Sequence, residues 1–147
     1  MIEDVEVLFD DSEPFESVDF FRITSDDGNT FTITNEMVSK DSASRVIDRY
    51  GYGYEGDCFW FFYDVASFQA GRLMIYDVKK KELNFDYFDE AFCITSLGYN
   101  ISSDSFLGVV SYHLPMTPKT FPDRYFFIGR DRRLVWDPVI PGRSNSE

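Results

Sequence analysis

The most strongly patterned part of the chain, residues 58–89, changes from continuously apolar to alternating. Residues 59–63 (Phe-Trp-Phe-Phe-Tyr) leave no polar face, which is typical of a strand covered on both sides. Residues 82–87 instead alternate between polar and apolar side chains, as in a strand with one face in water. We therefore expect three consecutive strands here, with the first in the middle of a sheet.

A hairpin is predicted upstream of this stretch. Residues 18–24 and 30–34 each carry alternating apolar positions, so that Phe21 and Ile33 fall on one shared face. The intervening turn contains Gly28, which supplies the positive φ that tight turns need.

Further strands follow from the same kind of pattern. Residues 2–9 fit either an edge strand or an extended arm, and three lysines at 79–81 fit the solvated tip of a hairpin. The remaining expected strands are residues 91–97 and 105–112 and a closing hairpin formed by residues 124–129 and 133–136.

One segment has a helical pattern. Ala43, Val46, Ile47 and Tyr50 occur at the i, i+3, i+4 and i+7 positions of an apolar stripe, and Gly51 follows as a candidate C-cap. The sequence therefore predicts one helix near residues 36–50.

Residues 50–56 (Tyr-Gly-Tyr-Gly-Tyr-Glu-Gly) are predicted to form a loop between this helix and the aromatic strand. Glycine permits tight turns, while Tyr52 and Tyr54 offer large, rigid, amphipathic surfaces of the kind found in binding loops. The alternative is a plain connector whose tyrosines pack on the core.

These elements indicate an α+β protein that folds as a single domain over residues 1–147, with a mainly antiparallel sheet of seven to nine strands and one helix. Residues 1–17 form an acidic arm or an edge strand in this interpretation. Residues 141–147 form a frayed tail.

The composition is sufficient for a hydrophobic core that folds without disulfide bonds or structural metal ions. A chain of 147 residues with sixteen Phe and nine Tyr is expected to bury roughly 70% of its unfolded surface. Cys58 and Cys93 lie within apolar runs, and the acidic N-terminus has no apolar secretory segment behind it, so we expect a cytoplasmic protein with two reduced, buried thiols. The apolar runs fall far short of the roughly 20 residues that cross a bilayer, so no membrane role is expected.

The net charge of −12 is unevenly distributed. Residues 1–30 hold ten acidic residues against Arg22 alone, a net charge of −9, whereas the remaining 117 residues carry −3. Residues 119–133 reverse the sign, with five basic and two acidic residues. The excess of negative charge argues against direct nucleic-acid binding, because such binding depends on neutralising phosphates.

No motif for a cofactor or a metal is present. His113 is the only histidine, which excludes sites that need two. A nucleophile built from Cys58 or Cys93 with His113 and Asp104 is formally available, but the apolar surroundings of both cysteines favour a buried, unreactive state.

Carboxylate pairs offer another candidate site, for catalysis or magnesium binding. Asp86, Asp89 and Glu90 lie near a predicted strand end, with Glu82 on the same polar face as Asp86. Clustering on an acidic surface explains the same pattern more simply.

Two classes of function remain. The first is a non-enzymatic acidic protein that neutralises a basic protein partner, such as an immunity protein for a toxin or an inhibitor of a DNA-acting defence enzyme. Its expected contact residues are Asp10, Asp11, Glu13, Glu16, Asp26, Asp27, Tyr52 and Tyr54. The second class is a small enzyme or ligand-binding domain with an aromatic pocket lined by Trp60, Tyr63, Tyr76 or Tyr87. Both a monomer and a homodimer are compatible with the sequence.

Overall fold

The protein is built mainly from antiparallel β-strands. A computed structural model describes residues 1–10, 19–38, 47–65, 70–85, 87, 92–112 and 123–138. The strands are β1 (Ile2–Val7), β2 (Asp19–Ser25), β3 (Thr30–Thr34), β4 (Ile47–Glu55), β5 (Cys58–Val65), β6 (Ala70–Asp77), β7 (Glu82–Asn84), β8 (Phe92–Asn100), β9 (Ser105–Tyr112), β10 (Arg124–Ile128) and β11 (Leu134–Trp136). The helix α1 (Asn35–Val38) is a single turn.

The strands form three sheets, each assembled from neighbours in the sequence. Sheet A has the order β1-β2-β3, sheet B the order β4-β5-β6-β7 and sheet C the order β11-β10-β9-β8. Short hairpin turns make most of the connections, as expected for antiparallel pairing.

The three sheets stack as three layers with sheet B in the middle. Along β5, the alternate residues Phe59 and Phe61 join the core shared with sheet A, whereas Cys58 and Trp60 belong to the core shared with sheet C. The neighbouring strand β6 divides in the same way. The period-2 geometry of a strand thus lets one continuous apolar run supply two cores.

Several predictions are confirmed. The aromatic run forms β5, which lies inside sheet B with both faces covered. The upstream hairpin has Phe21 opposite Ile33, and Gly28 at the turn has φ of 86°. The strands expected at residues 91–97 and 105–112 and the closing hairpin are β8, β9, β10 and β11.

The prediction of mainly antiparallel β-structure is confirmed, but the fold is mainly-β and not α+β, because eleven strands in three sheets and only one helical turn are present in the described parts of the chain. The strand expected to run through residues 82–87 is shorter, since β7 ends at Asn84. Residues 2–7 form β1, an edge strand paired with β2. Residues 11–17 and the predicted tail, residues 141–147, lie outside the described residues.

The helix predicted near residues 36–50 was also wrong over its last turn, where residues 47–50 belong to β4. Gly51 is therefore not a helix cap, and the predicted glycine–tyrosine loop is the rest of this strand. These residues form a strand because they pair with β5, in which Phe62 lies opposite Gly51 and Trp60 lies opposite Gly53. A Cβ on Gly53 would lie 2.5 Å from the indole of Trp60, so glycine leaves room for the aromatic ring of the neighbouring strand.

Candidate functional site: the seam between two edge strands

Two edge strands from different sheets lie side by side on one flank of the molecule. β1 is the edge of sheet A and β4 is the edge of sheet B. They are joined where the Ile2 amide donates a hydrogen bond to the Gly56 carbonyl oxygen over 2.7 Å. We call the strip between them, formed by Val5, Val7, Tyr52 and Tyr54, the β1–β4 seam.

Aromatic and aliphatic side chains are exposed along this seam. Tyr52 is 41% exposed, Tyr54 44% and Val7 39%. Tyr52 is held on its inner side, because its ring centroid lies 5.0 Å from that of Phe21, the cross-strand partner of Val7. The seam therefore presents large side chains that are fixed by packing and still accessible, which are the properties of interface anchors.

Exposed acidic side chains border the seam. Glu3, Asp4 and Glu6 all lie on β1 and are exposed, and Glu55 is exposed on β4 beside Tyr54. Glu6 also accepts a hydrogen bond from Arg22 over 3.2 Å, and both side chains of this pair are about half exposed. The two strands that form the seam thus carry both exposed tyrosines and exposed acids.

The two aspartates predicted in the β2–β3 turn have different roles. Asp26 is exposed and lies beside the start of β1, where its carboxylate is 2.9 Å from the amino group of Met1. Asp27 binds the turn itself: it accepts hydrogen bonds from the Ser25 hydroxyl and from the Asn29 amide. These bonds lower the pKa of the Asp27 carboxyl. Asp27 therefore has a clear structural role in the turn.

Of the other acids predicted to contact a partner, only one lies within the described residues. Asp10 is exposed just beyond β1. Asp11, Glu13 and Glu16 lie outside the described residues.

Sequence reasoning missed Glu3, Asp4, Glu6 and Glu55 as candidate contacts. A signal was available, because Val5 and Val7 alternate with polar neighbours, as they would on an edge strand with one face inward. The proximity of β1 to β4 depends on sheet packing and could not be read from local pattern.

The residues suggested for an aromatic pocket do not converge. Tyr63 and Tyr76 belong to the core between sheets A and B, whereas Trp60 and Tyr87 pack in the core between sheets B and C. A groove of about 330 Å³ is lined by Tyr76 together with Phe31 and Lys81, but Phe31 stacks on the Tyr76 ring with centroids 4.0 Å apart. The single pocket expected from the sequence is therefore split between two filled cores.

A second groove, of about 340 Å³, lies where the hairpin turns of sheets B and C meet. At its wall the Arg132 guanidinium contacts the Asp104 carboxylate at 2.8 Å, and the Tyr99 hydroxyl donates to the same carboxylate over 2.8 Å. Burial by itself would raise the pKa of Asp104, but the hydrogen bonds from Arg132 and Tyr99 outweigh it and leave that pKa below its usual value. Asp104 is thus bound within the fold by Arg132 and Tyr99.

Of the two cysteines offered as a nucleophile beside His113, Cys58 is buried and Cys93 is not. Cys58 is 1% exposed, and burial raises the pKa of its thiol to about 12, so the thiol stays protonated at neutral pH. Cys93 is half-buried on β8, which corrects the expectation that both thiols are buried. Neither cysteine forms a disulfide. His113 lies outside the described residues.

Among the described residues, no group of three or more His, Cys, Asp or Glu side chains converges to hold a metal ion. The single helical turn in the same part of the chain is too short to cross a membrane. The fold and the seam thus define a mainly-β, three-layer protein with an acidic, tyrosine-bearing flank. Comparison with protein-family models, with curated protein sequences and with solved structures finds no match in any of the three.

Proposed function

We propose that this chain is a non-enzymatic binding protein that engages a basic protein partner through the β1–β4 seam. The observation that carries the proposal is that β4, which carries the exposed Tyr52 and Tyr54, is hydrogen-bonded at its end to β1, the strand that carries three exposed acids. Such a protein would act by occupying its partner's surface, as an immunity protein occupies a toxin or an inhibitor occupies a DNA-acting defence enzyme.

The charge distribution supports a role in partner capture. The described residues of sheet A and α1, residues 1–10 and 19–38, contain eight acids and one base, a net charge of −7. A one-sided field of this kind accelerates encounter with a positive surface and selects its orientation. Steering by such a field weakens as salt screens it.

The tyrosines provide the short-range part of the interaction. Their rings can cover apolar surface of the partner and can receive Lys or Arg side chains over their faces. Because Tyr52 already packs on Phe21, it loses little conformational freedom on binding, which favours affinity.

The test begins with affinity capture by the purified wild-type chain from lysate of its native host at low and moderate salt, followed by purification of the captured protein and titration against variants. Glu3→Lys with Asp4→Lys changes two acids on β1, and the matched control changes Glu82 and Asp123 to lysine elsewhere. Both double variants alter the net charge of −12 by four units. We expect the β1 variant to lose about tenfold or more in affinity and the control to stay within about twofold.

The tyrosines are tested separately. Tyr54→Ala should weaken binding, whereas Phe85→Ala, at a side chain that is 38% exposed outside the seam, should not. The proposal fails if the captured protein is not basic, if control and β1 variants lose affinity equally, or if no saturable complex forms. Inhibition of the partner's own activity at one-to-one stoichiometry would establish neutralisation.

A further inference from the structure

The outer face of sheet C is apolar although no other layer of the described structure covers it. The three most exposed apolar side chains on it are Leu107 at 40%, Tyr125 at 36% and Val135 at 47%. Leu107 lies opposite Phe127, which lies opposite Val135, so one apolar row crosses three strands. Val109 opposite Tyr125 forms a second row beside it. We call these five residues the sheet C outer face.

The opposite outer surface of the molecule has a different character. On sheet A the outward positions include Glu6, Arg22 and Thr32, which lie side by side across three strands. That is the polar surface expected of a sheet with one face in water. The apolar rows on sheet C depart from this expectation and indicate a surface that becomes covered.

The uneven distribution of charge along the chain favours a second copy of the same protein as the partner that covers the sheet C outer face. The described residues of the sheet C segment, 92–112 and 123–138, contain four acids and four bases, so their net charge is zero, against −7 for the sheet A segment. Two copies of a chain with a net charge of −12 repel each other in most orientations. Contact through sheet C brings the neutral surfaces together and keeps the two acidic layers farthest apart.

We infer that the sheet C outer face is a self-association surface that packs against the same face of a second copy about a two-fold axis. A two-fold arrangement places each apolar row against apolar side chains of the other copy and closes the assembly at two chains. It leaves the β1–β4 seam of each copy accessible, so the inference does not depend on the proposed partner.

The size of the face sets the strength of the dimer. The four strands have nine, eight, five and three residues, and these 25 residues at about 3.3 Å each, on strands about 4.8 Å apart, cover about 400 Å². This is below the roughly 800 Å² per partner of a standard interface, so we expect reversible dimers with a dissociation constant in the micromolar range.

Sedimentation velocity over a wide concentration range tests the inference on the full chain. The mass of the wild type should rise from 17.2 kDa toward twice that value with concentration. Added salt should strengthen the association, because it screens repulsion between the acidic layers and leaves apolar contact intact. A head-to-tail contact between the basic β10–β11 hairpin and the acidic β1 would weaken with salt instead.

Variants locate the surface. Leu107→Lys with Val135→Lys should weaken dimerisation at least about tenfold even though it lowers the net negative charge. Phe85→Lys with Ile101→Lys makes the same charge change at side chains of similar exposure and should leave the dimer intact. Circular dichroism of both variants verifies folding. A wild type that stays monomeric at both salt concentrations, a dimer weakened by salt, or equal losses in the two variants would overturn the inference.

Discussion

At the scale of single residues, glycines lie opposite aromatic residues on neighbouring strands in both sheet B and sheet C. Gly53 faces Trp60 across the β4–β5 ladder, and Gly108 on β9 faces Phe126 on β10. In both cases a Cβ would collide with the ring of the opposing residue. The rings thereby lie flat over neighbouring backbone and fill the core between sheets B and C.

Replacing one such glycine should therefore be costly. We expect Gly53→Ala to destabilise the fold by about 1–3 kcal/mol, because the added methyl forces Trp60 out of its position. The free energy of unfolding from urea denaturation measures the effect. Gly98→Ala is the matched control on β8, since its nearest neighbour would be 3.8 Å away, and it should be neutral or mildly stabilising. Equal losses in both variants would refute the role assigned to the ring.

At the scale of elements, the sheets of the fold were largely predictable and the helix was not. The alternation of apolar and polar residues along residues 18–34 predicts strands that are buried on one face. The continuous aromatic run of β5 predicts a strand that is buried on both faces. Ile47 and Tyr50, the last two members of the apolar stripe that predicts a helix, lie in β4, whereas Ala43 and Val46 lie outside the described residues. Pairing with β5 decides the outcome, and glycines at 51 and 53 fit that pairing because aromatic rings cover them.

The site was less predictable than the strands. The alternating glycines and tyrosines of residues 50–56 single out Tyr52 and Tyr54, and both side chains are exposed on β4. Their acidic neighbours on β1 come from a strand about 50 positions earlier in the sequence. Only the stacking of sheet A on sheet B brings the two strands together, and no local pattern encodes that contact.

The turns of two hairpins are tied together by the Arg132–Asp104 pair, whose side chains are only 6% and 18% exposed. We expect Asp104→Asn to cost roughly 2–4 kcal/mol at neutral pH, since it leaves a buried guanidinium without its counter-charge. Asparagine tolerates the positive φ of 51° found there. The control is Asp137→Asn, which also has positive φ and a paired arginine but is largely exposed, and it should cost much less.

The pH dependence of this difference follows from the lowered pKa of Asp104. The ionised Asp104 carboxylate stabilises the fold fully above the pKa of about 3.9 that it has in the unfolded chain. This stabilisation is lost as the pH falls through the lower pKa of Asp104 in the folded protein. The stabilities of wild type and Asp104→Asn should therefore converge only in strong acid. A difference that stays constant down to the acid transition would show that charge is not the cause.

At the scale of the whole molecule, the core between sheets B and C resists ionisation. Burial raises the pKa of Cys58 and of Tyr87 to about 12, and burial together with the bond to Asp104 raises that of Tyr99. Unfolded, these groups ionise near pH 8.5 and 10. Above about pH 9 the unfolded chain binds fewer protons than the folded one, so stability should fall from there to about pH 12.

Tyr87 allows the expected loss of stability at alkaline pH to be tested. Its hydroxyl is buried and makes no hydrogen bond in the described structure. Tyr87→Phe should therefore stabilise the fold by about 1 kcal/mol at neutral pH and lessen the alkaline decline measured by denaturation at about pH 8 to 11. A destabilised variant, or an unchanged alkaline slope, would contradict the burial of an unpartnered hydroxyl.

The middle position of sheet B has a consequence for the order in which the chain is made. Sheets A, B and C follow one another along the sequence, so β4 to β7 leave the ribosome after the strands that cover one of their faces and before those that cover the other. Until β8 to β11 have emerged, the side bearing Trp60, Leu73 and Ile75 lacks the strands that cover it. Synthesis of the last third of the chain is thus the interval in which a nascent molecule is most prone to aggregate with its neighbours.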